Sequence, residues 1–245
     1  MNMKIVVEKD YQAMSKTAAA ILADAIRANP KIVLGLATGS TPVGLYGELK
    51  KQYRQGQLDF SNVRTFNLDE YIGLPKEDPN SYGYFMNEEL FKDINIPLEN
   101  THIPDGQAED LEEYCRAYDK SISQEGGIDI QILGIGENGH IAFNEPDESL
   151  ALETNIVELT EDTIKANSRF FNSMDQVPKT AISMGIGTIL KARKIILLAS
   201  GEKKAPIIGQ LLKTRRINTM LPASFLLLHP DVTLVVDQAA YGEMN

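Results

Sequence analysis

Short apolar runs alternate with stretches of helical period along the whole chain. Lys4–Val7, Ile32–Gly35, Val63–Asn67, Ile128–Leu133, Lys194–Leu198 and Val232–Val236 are mainly apolar and bounded by polar or turn residues. Runs of this kind predict strands of a parallel sheet covered on both faces. Between them, Ala18, Ile21, Leu22, Ala25 and Ile26 fall on one helical face, and Leu111, Tyr114, Cys115, Tyr118 and Ile122 fall on another. The alternation predicts right-handed βαβ crossovers and an α/β fold, a doubly wound, mostly parallel sheet with helices on both faces. No internal repeat, low-complexity tract or Pro/Ser-rich linker interrupts it, so residues 1–245 read as a single domain. The stretch from about 144 to 177 stands apart. It is polar, carries no strong strand signal and reads as a lid.

In an open, Rossmann-like sheet, ligands bind beyond the carboxyl ends of the strands. The residues that follow each predicted strand are therefore the candidates for chemistry. After Ile32–Gly35 comes Leu36-Ala37-Thr38-Gly39-Ser40-Thr41-Pro42, ahead of a helical stretch Val43–Tyr53. Pro42 suits the first helical position and Ser40 or Thr41 the N-cap. Gly39 permits a tight turn. The loop then offers a helix N-terminus and the hydroxyls of Thr38, Ser40 and Thr41, which is a natural anion site. A well-capped helix without a ligand explains the loop alone equally well. After Val63–Asn67 comes Leu68-Asp69-Glu70-Tyr71-Ile72-Gly73-Leu74. Its adjacent carboxylates read either as a solvated acidic turn or as the source of a general base for a proton next to a carbonyl.

The segment Gly134-Ile135-Gly136-Glu137-Asn138-Gly139-His140-Ile141-Ala142-Phe143-Asn144-Glu145-Pro146 is the most informative. Gly134, Gly136 and Gly139 match the letters G-x-G-x-x-G, but a dinucleotide fingerprint has to open a long helix. Here His140 follows at once and Pro146 breaks the chain. The glycines read instead as a platform presenting His140 and Glu145. Histidine suits proton shuttling near neutral pH, and a nearby carboxylate orients the ring. Asn138 is placed to hold a ring nitrogen or a substrate hydroxyl.

Arg169 ends a helical stretch that starts near Thr160, and Lys204 follows Lys194–Leu198 in a second loop-then-helix start. Both suit an anion, although each alone reads more simply as a solvated surface charge. His102, in a turn before Ile103-Pro104, and His229, at a helix end where a cation is mildly favoured, read as structural. Cys115 reads as core. The three histidines have no metal-ligand spacing, so no zinc site and no cofactor are expected. No G-x-S-x-G elbow is present.

Composition and charge narrow the partners. A chain of 245 residues, 43% hydrophobic and 24% charged, reads as globular and long enough to bury a core without disulfide or metal staples. Lys+Arg number 24 against 34 Asp+Glu, a formal net charge of −10. Such a chain repels nucleic acid and anionic membranes, so any phosphate has to be held by a local site. One cysteine, no h-region or cleavage site near Met1 and no apolar run approaching about 20 residues predict a soluble cytoplasmic protein.

Taken together, Ala37–Pro42, Asn67–Leu74, Gly134–Pro146, Ala166–Phe171 and Val177–Gly187 resemble the glucosamine-6-phosphate deaminase family, in the family's order and across nearly the whole chain. The resemblance implies conversion of glucosamine 6-phosphate and water to fructose 6-phosphate and ammonia by ring opening, aldose–ketose isomerisation and deamination. It implies that Asp69 is the base moving the proton from C2 to C1 through an enol-type intermediate. It gives ring opening to His140 with Glu145 and Asn138, and the phosphate to Thr38, Gly39, Ser40, Thr41, Arg169 and Lys204. Many members of the family have aspartate where this chain has Asn138. Asparagine can orient His140 but cannot stabilise its cation by charge, which leaves Glu145 as the nearer partner and implies altered pH behaviour. Some members are hexamers activated by the N-acetylated sugar phosphate through basic residues after the N-E-P block. Here Asp147–Glu158 holds no lysine or arginine and the chain stops at Asn245, so a monomer without that activation is expected. Three other readings compete. A 6-phosphogluconolactonase-like hydrolase is opposed by the F-N-E-P and L-D-E-Y blocks. A non-enzymatic sugar-phosphate sensor would not need the acid–base residues, and a dinucleotide oxidoreductase rests on the glycine letters alone.

Overall fold

The computed structural model describes residues 3–168, 171 and 173–242. All six apolar runs form strands, with ends displaced by no more than two residues. In chain order the elements are β1 (Met3–Glu8), α1 (Tyr11–Ala28), β2 (Val33–Leu36), α2 (Val43–Arg54), β3 (Arg64–Asn67), β4 (Asp69–Tyr71), α3 (Tyr82–Glu89), β5 (Thr101–His102), α4 (Leu111–Gln124), β6 (Ile130–Gly134), β7 (Asn155–Glu158), α5 (Glu161–Asn167), β8 (Thr180–Ser183), α6 (Ile186–Leu190), β9 (Lys194–Ala199), α7 (Ala205–Lys213), β10 (Val232–Asp237) and α8 (Gln238–Tyr241).

Seven strands form one parallel sheet in the order β1-β10-β9-β6-β2-β3-β5. The chain leaves β2 toward β3 on one side and leaves β6 toward β9 on the other. The β2/β6 boundary is thus the topological switch point, where open sheets of this class bind ligands. β2 and β10 are buried along their whole length, as the continuous apolar runs predict. β1 differs. It has β10 as its one neighbour and leaves Ile5 and Val7 exposed, because an edge strand is covered on fewer sides.

A second, antiparallel sheet of order β4-β8-β7 was not legible from periodicity. Its strands have three or four residues each, too few to show a period. β7 lies inside the polar stretch 144–177, where no strand is expected from the sequence. Its burial alternates in the manner of a half-covered strand.

α1 buries Ala18, Leu22 and Ile26 as expected and extends the stripe through Met14, Ala19 and Ala23, with Ile21 and Ala25 at its margin. It crosses α2 closely at Gly44, where a Cβ would lie 2.3 Å from Ser15 Oγ. α4 buries Cys115, Tyr118 and Ile122. A smaller apolar cluster of Tyr71, Phe143, Leu159 and Ala181, with Tyr82 and Ile164 against it, joins the small sheet to α3, α5 and the loop after β6.

Candidate active site

Four adjacent strands, β9, β6, β2 and β3, each deliver one predicted segment at the carboxyl end of the sheet. After β6, no helix forms before Glu161, so the three glycines serve a compact loop and not a dinucleotide fingerprint. Gly136 N–H donates to His140 O at 2.9 Å and Gly139 N–H to Gly136 O at 3.1 Å. The imidazole of His140 lies directly on Gly136, where a Cβ would fall 2.3 Å from the ring. Glycine is therefore required there to seat the histidine. Gly139 is required for its backbone, with φ +90°. His140 Nδ1 lies 3.2 Å from Glu145 Oε2. The His140 side chain is 25% exposed and that of Glu145 only 9%, so the carboxylate is the buried member and the imidazole faces the crevice.

Asn138 does not hold the imidazole, contrary to one expectation. Its Nδ2 donates to Glu145 Oε2 at 2.7 Å and its Oδ1 accepts from the His140 N–H at 3.2 Å. The amide has one end suited to a carboxylate and one suited to an N–H, and the loop uses both. The other Glu145 oxygen, Oε1, accepts from Thr163 Oγ1 of α5. Burial pushes the Glu145 carboxyl up, but the hydrogen bond and charge of His140, with the bonds from Thr163 and Asn138, outweigh it and hold the group at about 2. Glu145 is thus a permanent anion beside the histidine.

Asp69 and Glu70 do not form a solvated turn. They lie on β4, 7% and 3% exposed. The structure separates their tasks. Glu70 accepts backbone N–H bonds from Tyr71 at 2.8 Å, Tyr82 at 3.0 Å and Gly83 at 2.8 Å, which ties it to the start of α3. Burial raises it to about 7 despite those bonds. Among the described residues no donor reaches the Asp69 carboxylate. Burial, then the neighbouring Glu70 charge, raise Asp69 to about 8. Asp69 pairs in register with Ser183 of β8. Ser183 Oγ in turn accepts from Phe143 N–H at 3.1 Å, and Asn144 Nδ2 donates to Met184 O at 2.8 Å. These bonds stitch the β6 loop to β8, the strand that pairs with β4, so Asp69 and the His140–Glu145 pair are held on one framework.

The β2 loop delivers Thr38, Gly39, Ser40 and Thr41 at the N-terminus of α2. Pro42 is the cap residue itself and makes no side-chain capping bond. Ser40 and Thr41 therefore do not cap the helix as expected. Tyr11 of α1 takes the task, donating to Ser40 O at 3.0 Å and accepting from Gly44 N–H at 2.8 Å. Among the described residues the N–H groups of Thr38, Gly39, Ser40 and Thr41 find no acceptor. Gly39 turns with φ +87°. Unpaired amides at the positive end of a helix dipole form an anion site. Lys204 lies beyond β9, in a 3-10 turn Glu202–Lys204 that leads into α7. Asp237 shapes that turn by accepting from Gly201 N–H and Ser200 Oγ. Arg169 lies outside the described residues.

His102 stacks on Phe66 at 4.4 Å between ring centroids, and burial lowers its pKa. His229 is buried. Asp231 N–H donates to its Nδ1, and Nε2 lies 2.7 Å from Ala192 O. It serves as a joint between two backbone segments. Burial raises the Cys115 thiol to about 11, which suits a core residue. An open cavity of ≈ 710 Å³ between α4 and residues 151–156 lies apart from the four loops. Among the described residues no group of His, Cys, Asp or Glu is placed to hold a metal ion, and no helix is long and apolar enough to cross a membrane. Reading the sequence missed Thr163 and Ser183. Nothing in Thr160-Glu161-Asp162-Thr163 sets the second threonine apart from the N-cap threonine that precedes it, and Ser183 is one serine in a short apolar strand.

Known proteins resemble this chain in sequence and in fold. A profile of the family described as glucosamine-6-phosphate isomerases/6-phosphogluconolactonase matches residues 8–235. A glucosamine-6-phosphate deaminase of Thermoanaerobacter pseudethanolicus is 56% identical over 97% of this chain and 94% of that protein. One from Clostridioides difficile is 53% identical over 99% and 97%. Among solved structures, a monomeric glucosamine-6-phosphate deaminase superposes with a TM-score of 0.96 at 46% identity, covering 99% of this chain and all of the other. A 6-phosphogluconolactonase from Trypanosoma cruzi, at TM-score 0.78 and 22% identity over 99% of this chain and 97% of the other, shares the fold.

Proposed function

The chain belongs to the glucosamine-6-phosphate deaminase family, and we propose that it converts glucosamine 6-phosphate and water to fructose 6-phosphate and ammonia, with Asp69 as enolising base and His140–Glu145 as the ring-opening couple. The contrast between the two carboxylates carries the assignment of roles. Asp69 is poised at about 8 and Glu145 is fixed at about 2. Carboxylates driven apart in this way divide between proton transfer and electrostatic support. Glu145 engages Nδ1 of His140, which leaves Nε2 to the sugar. His140 takes the proton of the anomeric hydroxyl and returns one to the ring oxygen, which opens the pyranose to the aldehyde. Asp69 removes the C2 proton to give an enolamine and delivers a proton to C1. The nitrogen then sits on C2 as an iminium. Water adds there, the C–N bond breaks, and ammonia leaves a C2 carbonyl. Each step is a proton transfer, a hydration or a C–O or C–N cleavage, so none calls for a cofactor.

The phosphate is the remote handle that orients C2 at Asp69. Thr38, Gly39, Ser40 and Thr41 hold it through free amides and hydroxyls, with Arg169 and Lys204 supplying cations. That local cluster works against a net charge of −10. The stretch 144–177 acts as the lid. Its α5 bears on the site through Thr163 and Ile164. The enzyme acts as a cytoplasmic monomer, in keeping with the monomeric structural neighbour. Asp69→Asn tests the roles. Turnover should fall by about 10²–10⁴, the usual worth of a general base, with KM close to wild type. An equal loss in binding would make Asp69 a substrate-positioning group instead.

A further inference from the structure

Glu145 is reached from two separate parts of the chain. Asn138 and His140, on its own loop, occupy Oε2. Oε1 is taken by Thr163 Oγ1, 18 residues on and in α5. Thr163 is 5% exposed, and its N–H is already used by the Thr160 side chain at the helix cap. Its hydroxyl therefore has one visible task. We propose that Thr163 is a positioning residue for the ring-opening couple, fixing the rotation of the Glu145 carboxylate so that Oε2 stays on His140 Nδ1 and linking that pair to the docked α5.

The reasoning is geometric. A carboxylate bonded only through Oε2 can turn about its Cγ–Cδ bond and keep one of its two Oε2 partners. A donor fixed on Oε1 removes that freedom. Thr163 is held where it is by two contacts that have nothing to do with the carboxylate. One is the Thr160 cap, and the other is the packing of Ile164 and Leu159 against Tyr71 and Phe143. The hydroxyl is presented by a packed helix, so it constrains the carboxylate more than a solvent-exposed donor would. Among the described groups facing Glu145, His140 is the titratable one, and the other two, Asn138 and Thr163, are neutral donors.

This inference rests on the deaminase reading, and the variants separate the two. Thr163→Val keeps the shape and removes the hydroxyl, whereas Thr163→Ser keeps the hydroxyl and removes a methyl. Steady-state kinetics with glucosamine 6-phosphate should show kcat of Thr163→Val reduced about tenfold, the worth of one hydrogen bond to a charged group. KM should change less than about twofold, and Thr163→Ser should recover kcat to within about twofold of wild type. A purely structural role gives the opposite order. Val, which fills the same volume, would then match wild type, and Ser would lose thermal stability. Thr163→Val with unchanged kcat overturns the proposal even if wild type is a competent deaminase. An inactive wild type fails the functional reading first. If Thr163→Val does not fold, Thr163→Cys, which keeps a weak donor in nearly the same volume, replaces it. A kcat between those of wild type and Thr163→Ala supports the proposal, and one equal to wild type contradicts it.

Discussion

Asp69 owes its chemistry to where β4 places it. A carboxyl that titrates near 3.8 in water is pushed to about 8 by burial and by Glu70. Only its ionised form can accept the C2 proton, so kcat/KM should rise with pH toward about 8 and then level on that limb. Glu145, at about 2, remains ionised throughout and contributes no limb there. A pH–rate profile checks both, and a limb near 4 would mean that Asp69 is solvated in the working enzyme. The same shift bears on stability. A carboxyl whose folded pKa is raised favours the fold below its unfolded value and loses that contribution as pH rises through the folded one. The interval runs from about 3.8 to about 8. Asp69→Asn should therefore gain Tm over wild type progressively across that interval and hold the gain above it. Equal Tm differences at pH 5 and pH 8 would contradict the burial argument. The sequence displays the Asp-Glu pair but not this division of labour, because the α3 partners of Glu70 lie 12 and 13 residues on, at Tyr82 and Gly83.

At the scale of elements, the long apolar runs and helical stripes were legible because each repeats its signal over many residues. β4, β7 and β8 were not, although β4 carries Asp69 and β8 pairs with it. Glu70 shows how such an element is held. The N–H bonds it accepts from Tyr82 and Gly83 join β4 to the first turn of α3. Glu70→Gln replaces an acceptor with a donor facing an N–H. It should cost about 1–3 kcal/mol in unfolding free energy, the range for a buried hydrogen bond left unmade. It also removes the charge that raises Asp69, so the acid limb of kcat/KM should move to lower pH. Denaturation and a pH profile of the same variant read the two effects, and an unmoved limb would show that burial alone sets Asp69. The β2 loop teaches a similar lesson. Ser40 and Thr41 have the composition of caps, but Tyr11 from α1 takes that place and the loop amides stay unpaired for an anion. A contact across 33 residues leaves no trace in the local pattern.

The whole molecule gathers these segments by topology. β9, β6, β2 and β3 are neighbours, so four loops far apart in sequence open on one crevice at the switch point of the sheet. The order of blocks along the chain was readable, and the crevice followed from it. The separation of Asp69 from the His140 loop was not readable, since it depends on Ser183 and Asn144 bridging to the small sheet. The apolar edge of β1 is short and partly charged, with Lys4 and Glu8 flanking Ile5 and Val7, which suits a chain that stands alone. Light scattering at micromolar concentration should give the single-chain mass of 27.1 kDa, and a dimer or hexamer mass would contradict the monomer.

The central claim is that this site deaminates a phosphorylated amino sugar, and ammonia release from purified protein tests it most directly. With glucosamine 6-phosphate and unphosphorylated glucosamine assayed side by side, ammonia should appear from the phosphorylated sugar alone, matched by an equal amount of fructose 6-phosphate. Folded protein that releases none from either sugar would contradict the account.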